Sequence, residues 1–94
     1  MDSNGYSDSL FRTERCYDCG KQGDLVRHEV FHGPLRSKSK KYGCWMTLCP
    51  MCHERIHKYP KYYEGIKRET QLTAMERYGW SEEDFRHVFG KSWI

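Results

Sequence analysis

Apolar and polar residues change period twice along the chain, from aperiodic to alternating and then to helical. Residues 1–14 follow neither a helical nor a strand period and read as a loose, flexible N-terminal arm. Leu25-Val-Arg-His-Glu-Val-Phe31 interleaves β-formers with polar groups behind the breakers Gly23 and Asp24, the pattern of a short strand. Cys44-Trp-Met-Thr-Leu48 is a second apolar run, expected to pair with the first as an antiparallel hairpin. Between them, His32 to Gly43 opens on Gly33-Pro34 and reads as a loop. Beyond Leu48 the period is helical. A helix beginning near Met51 places His53 and His57, four apart, on one face. Pro60 closes it and suits the first turn of a further helix ending near Tyr78, with Ile66, Leu72 and Met75 as its expected buried positions. Gly79 is a stop. Ser81 and Asp84 make the two halves of a capping box for a last helix, Trp80 can staple onto Phe85, and Phe85, Val88 and Phe89 line one face ahead of Gly90.

A chain of 94 residues of which 37% are hydrophobic makes one small domain, and domains of this size often need a staple. The cysteines supply one. Cys16-Tyr-Asp-Cys19 and Cys49-Pro-Met-Cys52 repeat the knuckle spacing of a tetrahedral zinc site, with 29 residues between them. Either pair alone also suits a redox dithiol, and Cys49-Pro-Met-Cys52-His53 matches the haem-attachment pattern. A second copy argues for shared zinc over a redox motif, and no export signal accompanies the haem pattern. The odd total of five cysteines argues against a disulfide framework. No apolar run approaches the 18 or so residues of a membrane span, so a soluble, cytoplasmic protein without a membrane partner is expected.

Net charge is only +3, so the position of the charges matters more than their sum. Arg36, Lys38, Lys40 and Lys41 fall within six residues, interspersed with serines. Such a run is either a solvated face or a set of phosphate contacts to nucleic acid, and the neighbouring metal-type residues favour the second. His28 and Glu29 are adjacent in a strand and point to opposite faces unless a bulge intervenes, which limits their sharing one metal. His53 and His57 are either packing residues or ligands to a second ion.

The order Cys-x-x-Cys, His28-Glu29 in a strand, a basic segment, then Leu-Cys-x-x-Cys-His-x-x-x-His resembles the HNH nuclease family over residues 16 to 58. His-Glu-Val-Phe-x-Gly, Arg-x-x-Ser-x-x-Tyr-Gly and Leu-Cys-Pro are similar to small bacteriophage and prophage members, and Phe89-Gly-Lys-Ser-Trp-Ile94 extends the likeness weakly to the C-terminus. The resemblance implies a small α+β fold: a ββα-metal core over 15–58, stapled by a structural Zn2+ on Cys16, Cys19, Cys49 and Cys52, with a helical extension over 59–94 packing on it. It implies a catalytic divalent metal (Mg2+, Mn2+, Ni2+ or Zn2+) on His28, His53 and His57. Glu29 or His28 would act as general base, with His32 as an outside candidate. DNA would be the substrate, held by Arg36, Lys38, Lys40 and Lys41, and a phage protein such as a terminase is an expected partner. Two departures stand out. Glu29 occupies the place usually held by a histidine base, and no asparagine follows Asn4, so the family's orienting asparagine is absent. Both departures favour the alternative of a catalytically degenerate, zinc-stapled module that binds nucleic acid or protein.

Overall fold

In the computed structural model, which describes residues 5–94, the two apolar runs pair as an antiparallel hairpin. Strand β1 (Val26–Glu29) lies against β2 (Trp45–Leu48), with Val26 opposite Leu48, His28 opposite Met46 and Glu29 opposite Trp45. Among the described residues four helices complete a small α+β fold: α1 (Arg36–Lys41), α2 (Pro50–Lys58), α3 (Pro60–Tyr78) and α4 (Glu82–Phe89). No helix among them is long and apolar enough to cross a membrane. β1 is shorter than its apolar run because Phe31 leaves the ladder. Its N–H donates to Ser39 Oγ at 3.0 Å, and that hydroxyl donates to the Phe31 carbonyl at 2.9 Å. One buried serine thus satisfies the backbone that a strand partner would otherwise satisfy.

The segment between the strands, expected as a loop, is instead helical: a 3-10 turn (Gly33–Leu35) followed by α1. Pro34 sits in the first turn, where its missing N–H costs nothing, and Arg36-Ser-Lys-Ser-Lys-Lys41 contains good helix formers on either side of the Ser39 anchor. The N-terminal arm also differs from expectation. Its first four residues lie outside the described ones. From Gly5 onward it has no helix or strand, yet it is tied to the hairpin. Ser7 N–H donates to the Lys40 carbonyl, Leu10 N–H to the Gly43 carbonyl, and the Trp45 indole to the Ser7 carbonyl at 2.8 Å. Tyr6 is buried as a result.

Helix α2 opens on Cys49 with Pro50 in its first turn, and Tyr59 in extended conformation separates it from α3. On α3 the buried stripe is Ile66, Thr70, Gln71 and Ala74, while Leu72, expected inside, is 40% exposed. The stripe shifts because the C-terminal tail covers it: Gln71 accepts from Trp93 N–H at 2.6 Å and donates to Ser92 Oγ at 2.8 Å. Ser81 and Asp84 form the expected capping box on α4, and Gly79 and Gly90 end α3 and α4 in left-handed conformation. Phe85 and Phe89 then join Val30, Phe31, Met46, Leu48 and Ile56 in one core that is continuous with Cys16, Cys49 and Cys52.

Candidate functional site

The two knuckles meet. Gly20, in left-handed conformation, turns the chain back so that its N–H reaches the Cys16 carbonyl at 3.0 Å, and Cys19 N–H points at Cys16 Sγ. Cys49 and Cys52 flank the first turn of α2, whose free N–H groups favour thiolates. The sulfurs of Cys16, Cys19, Cys49 and Cys52 lie within 4.8 Å of one another, with Cys19 and Cys49 3.7 Å apart. A Zn–S bond of about 2.3 Å gives a tetrahedron with edges near about 3.8 Å. That separation is far beyond a disulfide's and fits a shared ion, so the cluster can hold a structural zinc. Burial raises the Cys16 thiol, but backbone N–H groups at Cys19, Cys49 and Asp18 outweigh it and bring it to about 6. Cys44, outside the cluster, is pushed up to about 12 by burial and is a core residue.

The second group is built on the neighbouring stripe of the same helix. Cys52 and Ile56 face the core; His53 and His57 sit one position further round, their rings 4.7 Å apart and their Nε2 atoms 3.2 Å apart. β1 brings His28 to within 5.3 Å of the His53 ring and 5.9 Å of the His57 ring. One nitrogen from each of the three lies within 4.8 Å of the others. His28 is 2% exposed, and its Nε2 is buried without a hydrogen-bond partner. Burial, then repulsion from His32, His53 and His57, lowers its pKa to about 3, against the pull of Glu29. Burial and His57 likewise lower His53. Three imidazoles converging on one point, one with an orphaned nitrogen, fit a transition-metal ion.

These residues line a cleft of about 340 Å³ together with Arg27, Glu29, His32 and Arg36. His28 and Glu29 leave β1 in different directions, yet both reach the cleft because it wraps the strand's outer edge, which pairs with no strand among the described residues. Glu29 accepts from Arg36 Nε at 2.8 Å and from the Tyr6 hydroxyl. Burial raises its pKa, but these bonds outweigh burial and hold it below the usual carboxylate value. The His32 ring meets that of His28 edge to face at 5.1 Å and lies tilted 5.8 Å from that of His57, outside the three-nitrogen group. Tyr63, from α3, backs His28, His32 and His57, and its hydroxyl donates to the Val30 carbonyl.

Of the four cations in the basic segment, only Arg36 lines this cleft. Lys38 Nζ donates to the Val88 carbonyl at 2.5 Å, Lys40 lies 4.9 Å over the Tyr6 ring, and Lys41 lies 5.4 Å over the Tyr42 ring. Arg27 and Tyr63 were missed in the sequence reading. The position of Arg27 directly before His28 was a usable signal; Tyr63 gave none, because its approach depends on how α3 docks. No family model, no curated protein and no solved structure matches this chain.

Proposed function

We propose that the chain is a metal-dependent endonuclease of HNH type that hydrolyses DNA phosphodiester bonds, with β1, β2 and α2 as its ββα-metal unit. The observation that carries the reading is the buried, unpartnered Nε2 of His28, in a ring that brings a nitrogen within 4.8 Å of nitrogens of His53 and His57. An orphaned buried nitrogen costs roughly 1–3 kcal/mol unless something binds it. His28, His53 and His57 hold the ion in this reading. An all-imidazole set favours Zn2+ or Ni2+ over Mn2+ and Mg2+, which prefer oxygen ligands. When bound, such an ion supplies Lewis acidity that stabilises charge developing on the phosphate and its leaving oxygen.

The protein's own groups do the remainder. Because His28 Nε2 is committed to the cluster, Glu29 takes the proton of the attacking water. Arg36 and Tyr6 fix its carboxylate and keep it ionised. The same contacts make it a weak base, since proton acceptance is most effective with a pKa near the working pH. Tyr63 supports the imidazoles from behind.

The test is nicking of supercoiled plasmid with added Mn2+, Ni2+, Zn2+ or Mg2+. Wild type should nick, His57→Ala should not, and Glu29→Gln should lose about a hundredfold, the scale of a lost general base. Glu29→Gln activity equal to wild type would restrict Glu29 to holding Arg36. The Glu29–Arg36 pair also favours one rival, a zinc-stapled binding module. DNA binding without nicking under every ion would establish that rival instead.

A further inference from the structure

Four imidazoles line the cleft, yet only three of them offer a nitrogen to one point. His28, His53 and His57 bring nitrogens within 4.8 Å of one another, and no nitrogen of His32 joins that group. The His32 centroid lies 5.1 Å from that of His28 and 5.8 Å from that of His57, no farther than those two lie from each other at 5.9 Å. Proximity is therefore not what keeps His32 out; the orientation of its ring is. The group that bears on that orientation is Tyr63 of α3, whose ring lies 5.3 Å from that of His32 at an angle of 48°. The Tyr63 hydroxyl donates to the Val30 carbonyl at 2.5 Å, two residues before His32, so the phenol is tied to the stretch of backbone that carries the imidazole. Lys67 Nζ lies 4.3 Å from the Tyr63 centroid and pairs with Glu64 at 3.1 Å, which holds the ring from its own helix. Tyr63 meets His28 and His57 at 5.6 and 6.5 Å, edge to face, and both of those stay in the group.

We infer that the ring of Tyr63 holds His32 out of the metal's ligand set and so keeps a fourth position open to water or a phosphate oxygen. The inference deepens the nuclease reading and rests on the histidine cluster taking an ion. Structural zinc sites close on four protein ligands, whereas catalytic ones keep three and leave a position free. A fourth imidazole this close would complete a closed set if its ring could turn toward the other three. Turning about the side-chain bonds of His32 needs room beside the ring, and Tyr63 occupies one side of it. α3 lies outside the β1, β2 and α2 unit, yet it sets the number of protein ligands through a side chain that binds no ion itself. In this assignment Tyr63 is a positioning residue, acting through His32.

The experiment is titration of Co2+ into the zinc-containing protein, followed by azide, with visible absorption as the readout, since an added anion shifts the cobalt bands where a coordination position is open. Wild type should bind Co2+ at the histidines and respond to azide. His32→Ala should do the same, because His32 is no ligand. Tyr63→Leu should bind Co2+ and lose the azide response, and adding His32→Ala to it should restore the response, which loosened packing alone would not do. Tyr63→Met, whose side chain fills irregular space, carries the test should Tyr63→Leu fail to fold. Tyr63→Phe keeps the ring and should respond as wild type. An azide response that persists in Tyr63→Leu and Tyr63→Met, or that is missing from wild type or Tyr63→Phe, overturns the inference, and so does weakened Co2+ binding in His32→Ala; plasmid nicking then still decides the nuclease reading. If wild type takes up no Co2+ beyond its zinc, both fall.

Discussion

At the scale of single residues, His28 concentrates the tension in this molecule. A histidine buried to 2% with an unpartnered ring nitrogen is tolerated by the fold only in its neutral form. Its folded pKa, near 3, lies well below the ordinary 6.5, so between those values the unfolded chain binds a proton that the folded one refuses. The sign follows. The contribution of His28 is whole above about pH 6.5 and is lost as pH falls from there toward 3. Protein carrying zinc at the cysteines only should therefore lose denaturation midpoint steeply on acidification from neutrality, and His28→Asn should flatten that limb. Equal slopes in the two proteins would show that His28 is not held neutral. The sequence made His28 visible as a chemical residue but not as a buried one. It also set His28 and Glu29 on opposite faces, which held. It did not show that the cleft lies around the edge of β1 and so receives both.

At the scale of elements, the parts legible in the sequence were those decided locally. Ser81 and Asp84 announce α4 because both halves of the capping box lie within four residues. Likewise each knuckle is its own signal. Misreadings occurred where a distant partner decides. α1 forms on a buried serine that serves Phe31, eight residues away, and Leu72 is displaced from the core by a tail that Gln71 holds from 22 residues away. Gly43 is the sharpest instance. It adopts φ +73°, and an added Cβ would stand 2.3 Å from the Asp8 carbonyl oxygen and 3.3 Å from the Leu10 nitrogen. Those neighbours are backbone atoms tied in place by the Leu10 to Gly43 hydrogen bond, so they cannot swing aside. Gly43→Ala should lower stability by about 2 kcal/mol or more, combining left-handed strain with the clash. It should also free the N-terminal segment, so that trypsin cuts at Arg12 and Arg15 sooner than in wild type. A urea midpoint and a digestion rate that both match wild type would mean the segment does not pack as described.

At the scale of the whole molecule, the two metal-type clusters depend on each other through α2. Cys49 and Cys52 fix the first turn, His53 follows directly, and His57 lies one turn on, so whatever orders the sulfurs also aims the imidazoles. The cysteine cluster is also no appendage: Cys16, Cys49 and Cys52 belong to the same core as Phe85 and Phe89 at the far end of the chain. For a small domain, a zinc held there would contribute directly to folding free energy, and its loss should be felt throughout rather than at the knuckles alone. Purified protein should contain about one zinc per chain, retained in His57→Ala and lost in Cys16→Ser. On losing it, the chain should give up near-ultraviolet dichroism from its tryptophans and most of its helical signal in one transition. Trp93, its ring centroid 4.5 Å from that of Phe31, reports on the C-terminal end of the core in that measurement. A Cys16→Ser protein in which α3 and α4 persist and melt cooperatively would divide the fold into two independent parts. The cleft would then have to be explained without the zinc, by the packing of Cys52 and Ile56 in the core and the Arg55–Asp18 ion pair that also hold α2.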